Sequence, residues 1–550
     1  MAQNNLTEWS KTELIKEVKK LRKRKKYGIL WEDKSEEVAE LCKEKLPYLK
    51  EEDKKEILTD KKESVNILIE GDNYHALSVL NYTHKNKIDV IFIDPPYNTG
   101  NNDFIYNDRY VDKEDSYRHS KWLSFIAKRL KLAKFVLKNN GVLFITIDDN
   151  EYAQLKLLCD EIFSENNFIA NICWQARRSV SNDAIVSQNH HYVLIYSKNK
   201  NLLQKNKHKF RYDIDETKFS NPDNDSRGPW TADPFDAAQI RKNLQYAIKN
   251  PNTGETYYPP KGRHWVTTEK EYFRLLKDKR IRFGKNGKSK PQRKRFLEEV
   301  RDKGKTPTSW WDGAGTTTQG TKELENVLGE KLFDNPKPVS LLKRILKLST
   351  DKKSIILDFF AGSGTTAHAV LETNFEDGGS RKFILCTNNE NNNGNGHKIA
   401  TDICYPRIQK VIQKLEKEAK GKLVSNRPSG LKYFKTDFVD AEPTDKNKRM
   451  LVDKSTEMLC LKEDCFDEVK KGNEYKIFKN SKDKYLGIIY DDEGIETFKQ
   501  EAKKLNKKIV VFVFSLDESA REEEFGDVED LVELKPIPAV ILNVYKRIFK

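Results

Sequence analysis

From about Val65 the chain alternates short apolar runs with amphipathic stretches, and no other feature restricts its fold as strongly. Val65–Glu70, Val90–Ile93 and Val142–Ile147 read as short buried strands. Trp122–Leu137 reads as a helix, with Gly141 just past its end as a stop. The pattern resumes with strand Ser354–Phe360, helix Thr365–Thr373, strand Lys382–Thr387 and helix Pro406–Ala419. Strands separated by helical crossovers predict an α/β fold built on parallel pairing. Between 176 and 325 the regularity fails. That stretch is rich in Pro, Gly, Asn and basic residues, as in Asn221–Trp230 and Tyr257–Trp265, and reads as an insertion. From about 430 a separate α+β domain is expected, with strands Tyr485–Tyr490 and Lys508–Ser515 flanking a helix at Ile495–Leu505. Residues 10–26 read as a basic amphipathic helix. The expected organisation is an N-terminal arm (1–60), two halves of one α/β domain (61–175 and 326–430), an insertion (176–325) and a C-terminal domain (431–550) suited to subunit contacts.

At 550 residues the chain is too long for one core. No apolar run approaches the ~18–20 residues of a membrane span, and no N-terminal signal pattern is visible, so a cytoplasmic location is expected. The seven cysteines are scattered, and the nearest pair, Cys460 and Cys465, lacks metal or redox spacing; reduced thiols and no metal are expected. Net charge is +15. Lys261–Lys305 alone holds 17 Lys and Arg against 6 Asp and Glu, interleaved with Trp265, Tyr272, Phe273, Phe283 and Phe296. Such a stretch suits a polyanion, because each neutralised phosphate releases counterions; it equally suits a solvated basic face. The candidate nucleic-acid contacts are Lys261, Arg263, Arg280, Arg282, Arg293, Lys294 and Arg295.

Two strand ends carry chemistry. In the first, Ile91-Phe92-Ile93 runs into Asp94-Pro95-Pro96-Tyr97. The prolines remove two backbone donors. The Asp94 carboxylate and the Pro95 carbonyl then offer two acceptors for the hydrogens of an exocyclic amine, and Tyr97 offers a flat face for a base. An aryl amine is a poor nucleophile because its lone pair is delocalised. Two acceptors favour a pyramidal nitrogen, and they act more strongly as positive charge develops. In the second, Leu357-Asp358-Phe359-Phe360-Ala361-Gly362-Ser363-Gly364-Thr365-Thr366 ends a strand in a glycine turn that opens a helix. The glycines allow backbone to approach a ligand closely. A dinucleotide is one reading; Asp358, together with the first motif, points to S-adenosylmethionine. Glu390 would hold ribose hydroxyls in either case.

At these residues the chain resembles the amino-methyltransferases that act on DNA. The catalytic motif precedes Gly362 by about 268 residues, an order similar to the β class, in which target recognition lies between the two halves of the catalytic sheet. Asp94–Gly100, Phe104–Asp108, Trp122-Leu123, Arg129-Leu130, Ile147–Glu151, Asn335–Pro338 and Lys25–Glu32 resemble the Mod subunits of type III restriction–modification systems, and the likeness spans roughly 10–440. The resemblance implies a Rossmann-like methyltransferase fold with an inserted target-recognition domain. It also implies a flipped-out adenine as substrate, a homodimer, and a separate Res subunit for cleavage. Asp72 would hold the cofactor adenine, and Phe333–Pro338, with Lys337, would approach its methionine end. Asp358, Phe360, Gly362, Gly364, Thr365 and Glu390 complete the expected cofactor set, and Asp94–Tyr97 the catalytic set. Cytosine-C5 chemistry is disfavoured, since none of the cysteines follows a proline. Cytosine-N4 methylation shares the amine chemistry and stays open. So do an RNA substrate and a non-catalytic specificity subunit. No phosphate loop is present: Arg282 stands where Gly287-Lys288-Ser289 would need its first glycine.

Overall fold

The structure is a computed structural model that describes residues 10–12, 14–15, 28–59, 65–101, 103–107, 109–207, 210–391, 396–420, 430–517 and 519–549. The basic helix expected over 10–26 falls largely outside these residues. Among the described residues no helix is long and apolar enough to cross a membrane.

Ten strands form the central sheet: β1 Lys45–Glu51, β2 Asn66–Glu70, β3 Ile88–Ile93, β4 Leu137–Ile147, β5 Phe168–Gln175, β6 His190–Ser197, β7 Trp310–Trp311, β8 Ile355–Asp358, β9 Lys382–Thr387 and β10 Leu431–Asp440. Their spatial order is β1-β10-β2-β9-β8-β3-β4-β6-β5-β7. The run from β10 to β4 is parallel throughout, as the βα alternation predicts. β1 and β6 pair antiparallel at its two flanks. Strands β2, β3, β8 and β9 are almost wholly buried because helices cover the sheet. The second half of the chain threads β8 and β9 between β2 and β3. The carboxyl ends of four strands therefore meet at one place, where open α/β sheets bind ligands.

Several boundaries differ from expectation. The helix is Arg118–Val136 and runs directly into β4, so Gly141 lies inside a strand rather than behind a helix. There the register against β3 shifts between Ile88 and Val90. A Cβ on Gly141 would meet Leu137 at 2.7 Å and the Asp89 carbonyl at 3.0 Å, so close packing explains the glycine.

The insertion is narrower than 176–325. A compact unit spans Asn206–Pro307, because β6 and β7 on either side belong to the central sheet. The C-terminal region is not detached at 431 either. β10 lies between β1 and β2, with Leu431, Tyr433 and Phe434 buried. Beyond it a five-stranded sheet runs in chain order from Asp467–Lys471 to Val532–Ile537. The helix Ile495–Leu505 stands where the sequence predicts it. Phe478, Leu486, Phe512, Ile541 and Tyr545 join the same apolar core as Leu77 and Leu80 of the helix Asn73–Thr83.

Asn66 ties the sheet together: its side chain accepts from Phe383 N (3.0 Å) and donates to the Gly430 carbonyl (3.1 Å) while 1% exposed. Asn66→Ala leaves a buried amide without its acceptor and is expected to cost about 1–3 kcal/mol, read as a lower urea midpoint.

Candidate active site

Asp94 follows the last residue of β3. One carboxylate oxygen accepts from Thr146 Oγ1 of β4 (2.6 Å) and the other from Lys337 Nζ (2.6 Å). Trp122 Nε1 donates to the Pro96 carbonyl (2.7 Å), which fixes the proline pair against the helix Arg118–Val136. Among the described residues no protein donor reaches the Pro95 carbonyl. Tyr97 is half-buried. Its ring meets His191 edge-on at 5.3 Å, and the Lys337 ammonium lies 5.0 Å from its centroid. Burial raises the Tyr97 hydroxyl well above the usual tyrosine range. Burial, reinforced by Lys337, pushes His191 down to about 4, so its imidazole is neutral at physiological pH.

The glycine turn leaves β8 with Asp358 facing inward. Asp358 accepts from Phe360 N (3.0 Å) and Thr366 Oγ1 (2.5 Å), and burial raises it to about 7. Gly362 and Gly364 adopt φ of +48° and +78°, where side chains are strained. A Cβ on Gly362 would stand 3.1 Å from the Phe333 ring. Behind the turn, Arg407 is fully buried and donates to Ser363 Oγ (3.0 Å) and Thr365 Oγ1 (2.8 Å). Burial lowers it to about 10, which still leaves it charged at neutral pH. Asp358, Gly364 and Thr365 thus lie beneath the turn and shape it.

The turn floors a cleft of about 840 Å³. Asp72, Asp94, Pro96, Phe360, Gly362 and Glu390, all singled out in the sequence, line it; Pro95, Tyr97, Lys337, Asp358, Gly364 and Thr365 do not. Asp72 caps the helix Asn73–Thr83 by accepting from Tyr74 N (2.6 Å) and pairs with Arg129 (3.2 Å). The fully buried Arg129 also bonds Asn73 and Glu36 (2.7 Å to the latter). Asn73 in turn donates to the Phe359 carbonyl (2.8 Å), stapling the β2 exit to the β8 exit. Sequence reasoning assigned no role to Arg129 or Arg407. Each sits on the apolar stripe of its helix, Arg129 with Phe125, Leu132 and Val136 and Arg407 with Val411 and Leu415. A cation in such a stripe is a readable sign of a buried anchor.

The insertion is a unit of its own with a core of Phe235, Ile248, Trp265, Tyr272 and Leu275. Most of its expected nucleic-acid contacts are engaged internally. Lys294 is 5% exposed and held by Asp223 and Asp225. Arg263 pairs with Asp236, Arg280 with Asp278 (2.7 Å) and Glu299 (2.5 Å), and Arg295 with Asp233 (3.2 Å). Arg282 donates to the Gly284 carbonyl (2.9 Å) and stacks 4.9 Å from Trp230. Lys261 and Arg293 carry no ion pair among the described residues.

The Asp358 carboxyl gives a signed expectation. Its pKa rises from 3.8 to about 7 on folding. Between those values the folded state keeps a proton that the unfolded state loses, so this group lowers stability as pH rises from about 4 to about 7. Asp358→Asn can keep the bonds to Phe360 and Thr366 without that proton. Urea titrations at pH 5 and pH 8 are expected to show a smaller loss of stability in the variant than in the parent.

A family model described as DNA methylase, for N6 and N4 methylation, matches residues 88–392, more than half of the chain. The chain is 35% identical over 405 residues to the type III restriction–modification enzyme StyLTI Mod subunit of Salmonella typhimurium, covering 69% of this chain and 61% of that protein. It is 35% identical over 418 residues to the EcoPI Mod subunit of Escherichia phage P1, covering 64% and 63%. It is 34% identical over 352 residues to the type II methyltransferase M.KpnI of Klebsiella pneumoniae, covering 58% and 79%. The chain therefore spans about three fifths of the length of the two Mod subunits. Among solved structures, the cytosine-N4-specific PvuII DNA methyltransferase aligns with 60% of this chain and 85% of its own at 12% identity and a TM-score of 0.30. M1.HpyAVI in complex with SAM aligns with 64% of this chain and all of its own at 15% identity and a TM-score of 0.27. The sheet order, the two strand-end motifs and the family match agree: the chain belongs to the N6/N4 family of DNA methylases.

Proposed function

We propose that this chain transfers a methyl group from S-adenosylmethionine to the N6 amine of adenine in duplex DNA, as the modification and specificity subunit of a type III restriction–modification system. One observation carries the reading. The Asp94 carboxylate, fixed by Thr146 and Lys337, stands beside a Pro95 carbonyl that no donor among the described residues reaches, at the lip of a cleft floored by a glycine turn.

The cleft fits the cofactor by its chemistry. Asp72, Glu390, Glu36 and Glu37 line it with carboxylates, Phe125, Phe333 and Phe360 with aromatic faces, and Gly362 with bare backbone. Its volume is within the ~300–1,000 Å³ of small-molecule sites. When bound, S-adenosylmethionine supplies an electrophilic methyl group on a sulfonium. Asp94 and the Pro95 carbonyl accept the two hydrogens of the amine and aim its lone pair at that methyl. As charge develops on nitrogen its hydrogens become stronger donors, so this grip favours the transition state over the ground state. Flipping the base costs a few kcal/mol, and stacking on Tyr97 returns ~1–3 kcal/mol. Cytosine-N4 transfer uses the same groups and is the second reading, since the family covers both amines.

Further parts of the reading are a homodimer and a Res subunit that cleaves DNA. Both rest on the likeness to Mod subunits. Target recognition is assigned to the Asn206–Pro307 unit, where Lys261 and Arg293 are the two expected contacts that make no ion pair among the described residues.

Asp94→Ala is expected to abolish transfer of labelled methyl groups to duplex DNA while sparing DNA binding. Nucleoside analysis of the wild-type product should show N6-methyladenine; N4-methylcytosine would select the second reading, and wild-type turnover by the variant would refute the assignment. The double variant Lys261→Ala, Arg293→Ala is expected to reduce the slope of log K against log salt by about 2. Lys294→Ala is expected instead to lower the melting temperature, because Asp223 and Asp225 lose their shared cation.

A further inference from the structure

The loop after β3 is held at three points. Thr146 grips Asp94 and Trp122 grips Pro96, as described above. The third grip is on Asn98, which directly follows Tyr97. Asn98 is fully buried with φ of +58°, in the left-handed region. Its Nδ2 donates to Glu151 Oε1 at 2.5 Å. Glu151 is fully buried at the start of the helix Tyr152–Cys159. His119 Nδ1 meets the same Oε1 at 2.6 Å.

One feature of this pair is chemically incomplete. Glu151 Oε2 and Asn98 Oδ1 are both buried, and among the described residues neither has a hydrogen-bond partner. Both atoms are acceptors, and a buried acceptor left without a hydrogen bond is destabilising. They belong to two side chains already joined through their other atoms. A single proton on Oε2 would satisfy both at once. The carboxylic acid and the amide would then form a closed pair, Nδ2–H to Oε1 and Oε2–H to Oδ1.

We propose that Glu151 is a positioning residue that works as a neutral carboxylic acid, sharing its proton with Asn98 to lock the backbone that presents Tyr97 and Asp94. The proposal rests on the methyltransferase reading for its kinetic consequence, and on the geometry alone for the proton. The surroundings agree. Facing Glu151 are Arg118 and His119 from the helix Arg118–Val136, Asp148 from the turn after β4, and Gln154, which contacts His119 (3.3 Å). Burial outweighs the Asn98 bond and Arg118, and raises the carboxyl to about 8; Asp148 adds to the rise. Burial, with Arg118, lowers His119, so at neutral pH it faces the acid as a neutral imidazole. Loss of the proton above about pH 8 leaves a carboxylate against the Asn98 carbonyl oxygen and loosens the loop.

The test compares Glu151→Gln, whose amide reproduces both bonds without a titrating proton, with Glu151→Ala. Steady-state methylation of duplex DNA by the full chain gives kcat and KM against pH. Wild type is expected to lose kcat above about pH 8, with KM for DNA little changed. Glu151→Gln is expected to keep most of the neutral-pH rate and to lack that alkaline decline. Glu151→Ala is expected to lose kcat on the order of tenfold to a hundredfold, the scale of a misplaced reacting group, with S-adenosylmethionine binding retained. Infrared difference spectra of wild type minus Glu151→Gln should show a protonated carboxyl band at pH 7 that disappears by pH 9. A Gln variant as impaired as the Ala variant overturns the proposal, and so does absence of the band. Should wild type methylate no DNA, the functional reading fails, while the infrared result still decides the protonation of Glu151.

Discussion

The pairing of β8 with β3 is the contact on which the rest of the site depends. Leu357 lies opposite Ile91, and Ile356 opposite Val90, although some 266 residues separate them in the chain. Parallel strands with fully apolar faces are stable only when both neighbours and both covering helices are present. The two halves of the chain therefore complete one another. Their pairing sets the Asp358 turn beside the Asp94 turn, and neither turn could be held in that relation by local structure. The Asn73 bond to the Phe359 carbonyl adds a polar staple at the same junction.

Around this junction the protein buries an unusual set of ionisable groups. Arg129 and Arg407 are fully buried, and Glu36, Glu151 and Asp358 nearly or fully so. Isolated buried charge is costly, and the structure meets the cost in two ways. The arginines are met by several hydrogen bonds each. Asp358 and Glu151 shift upward toward neutrality. Arg407, Asp358 and Glu151 stand behind the glycine turn or the Asp94–Asn98 loop, while Arg129 and Glu36 line the cleft itself, so the interior electrostatics serve to hold loop geometry.

The insertion shows why charge counted along a sequence overstates charge available to a partner. The excess of cations in Lys261–Lys305 is real, but acids from outside that stretch, Asp223, Asp225, Asp233 and Asp236, fold back onto it. Lys294 thereby becomes a core residue of a small polar network, while Lys261 remains at the surface. Counting within a window misses partners supplied by antiparallel pairing, here between Gln292–Phe296 and Trp230–Pro234.

Periodicity made the parallel α/β class legible, and strands β2, β3, β9 and the helix Ile495–Leu505 stand close to where the residue pattern places them. Local chemistry exposed both strand-end motifs, because two prolines after an acid and paired glycines after a strand impose their geometry wherever they occur. The sequence by itself therefore determined the fold class and the two strand-end motifs, Asp94–Tyr97 among them. Only the tertiary structure decided which strands are neighbours, which cations are paired, that β10 belongs to the central sheet, and that Lys337, Thr146 and Glu151 brace the loop after β3. The physical reason is that these outcomes rest on long-range pairing and burial. A carboxylate or ammonium reads the same in sequence whether it meets water or an opposite charge brought from hundreds of residues away.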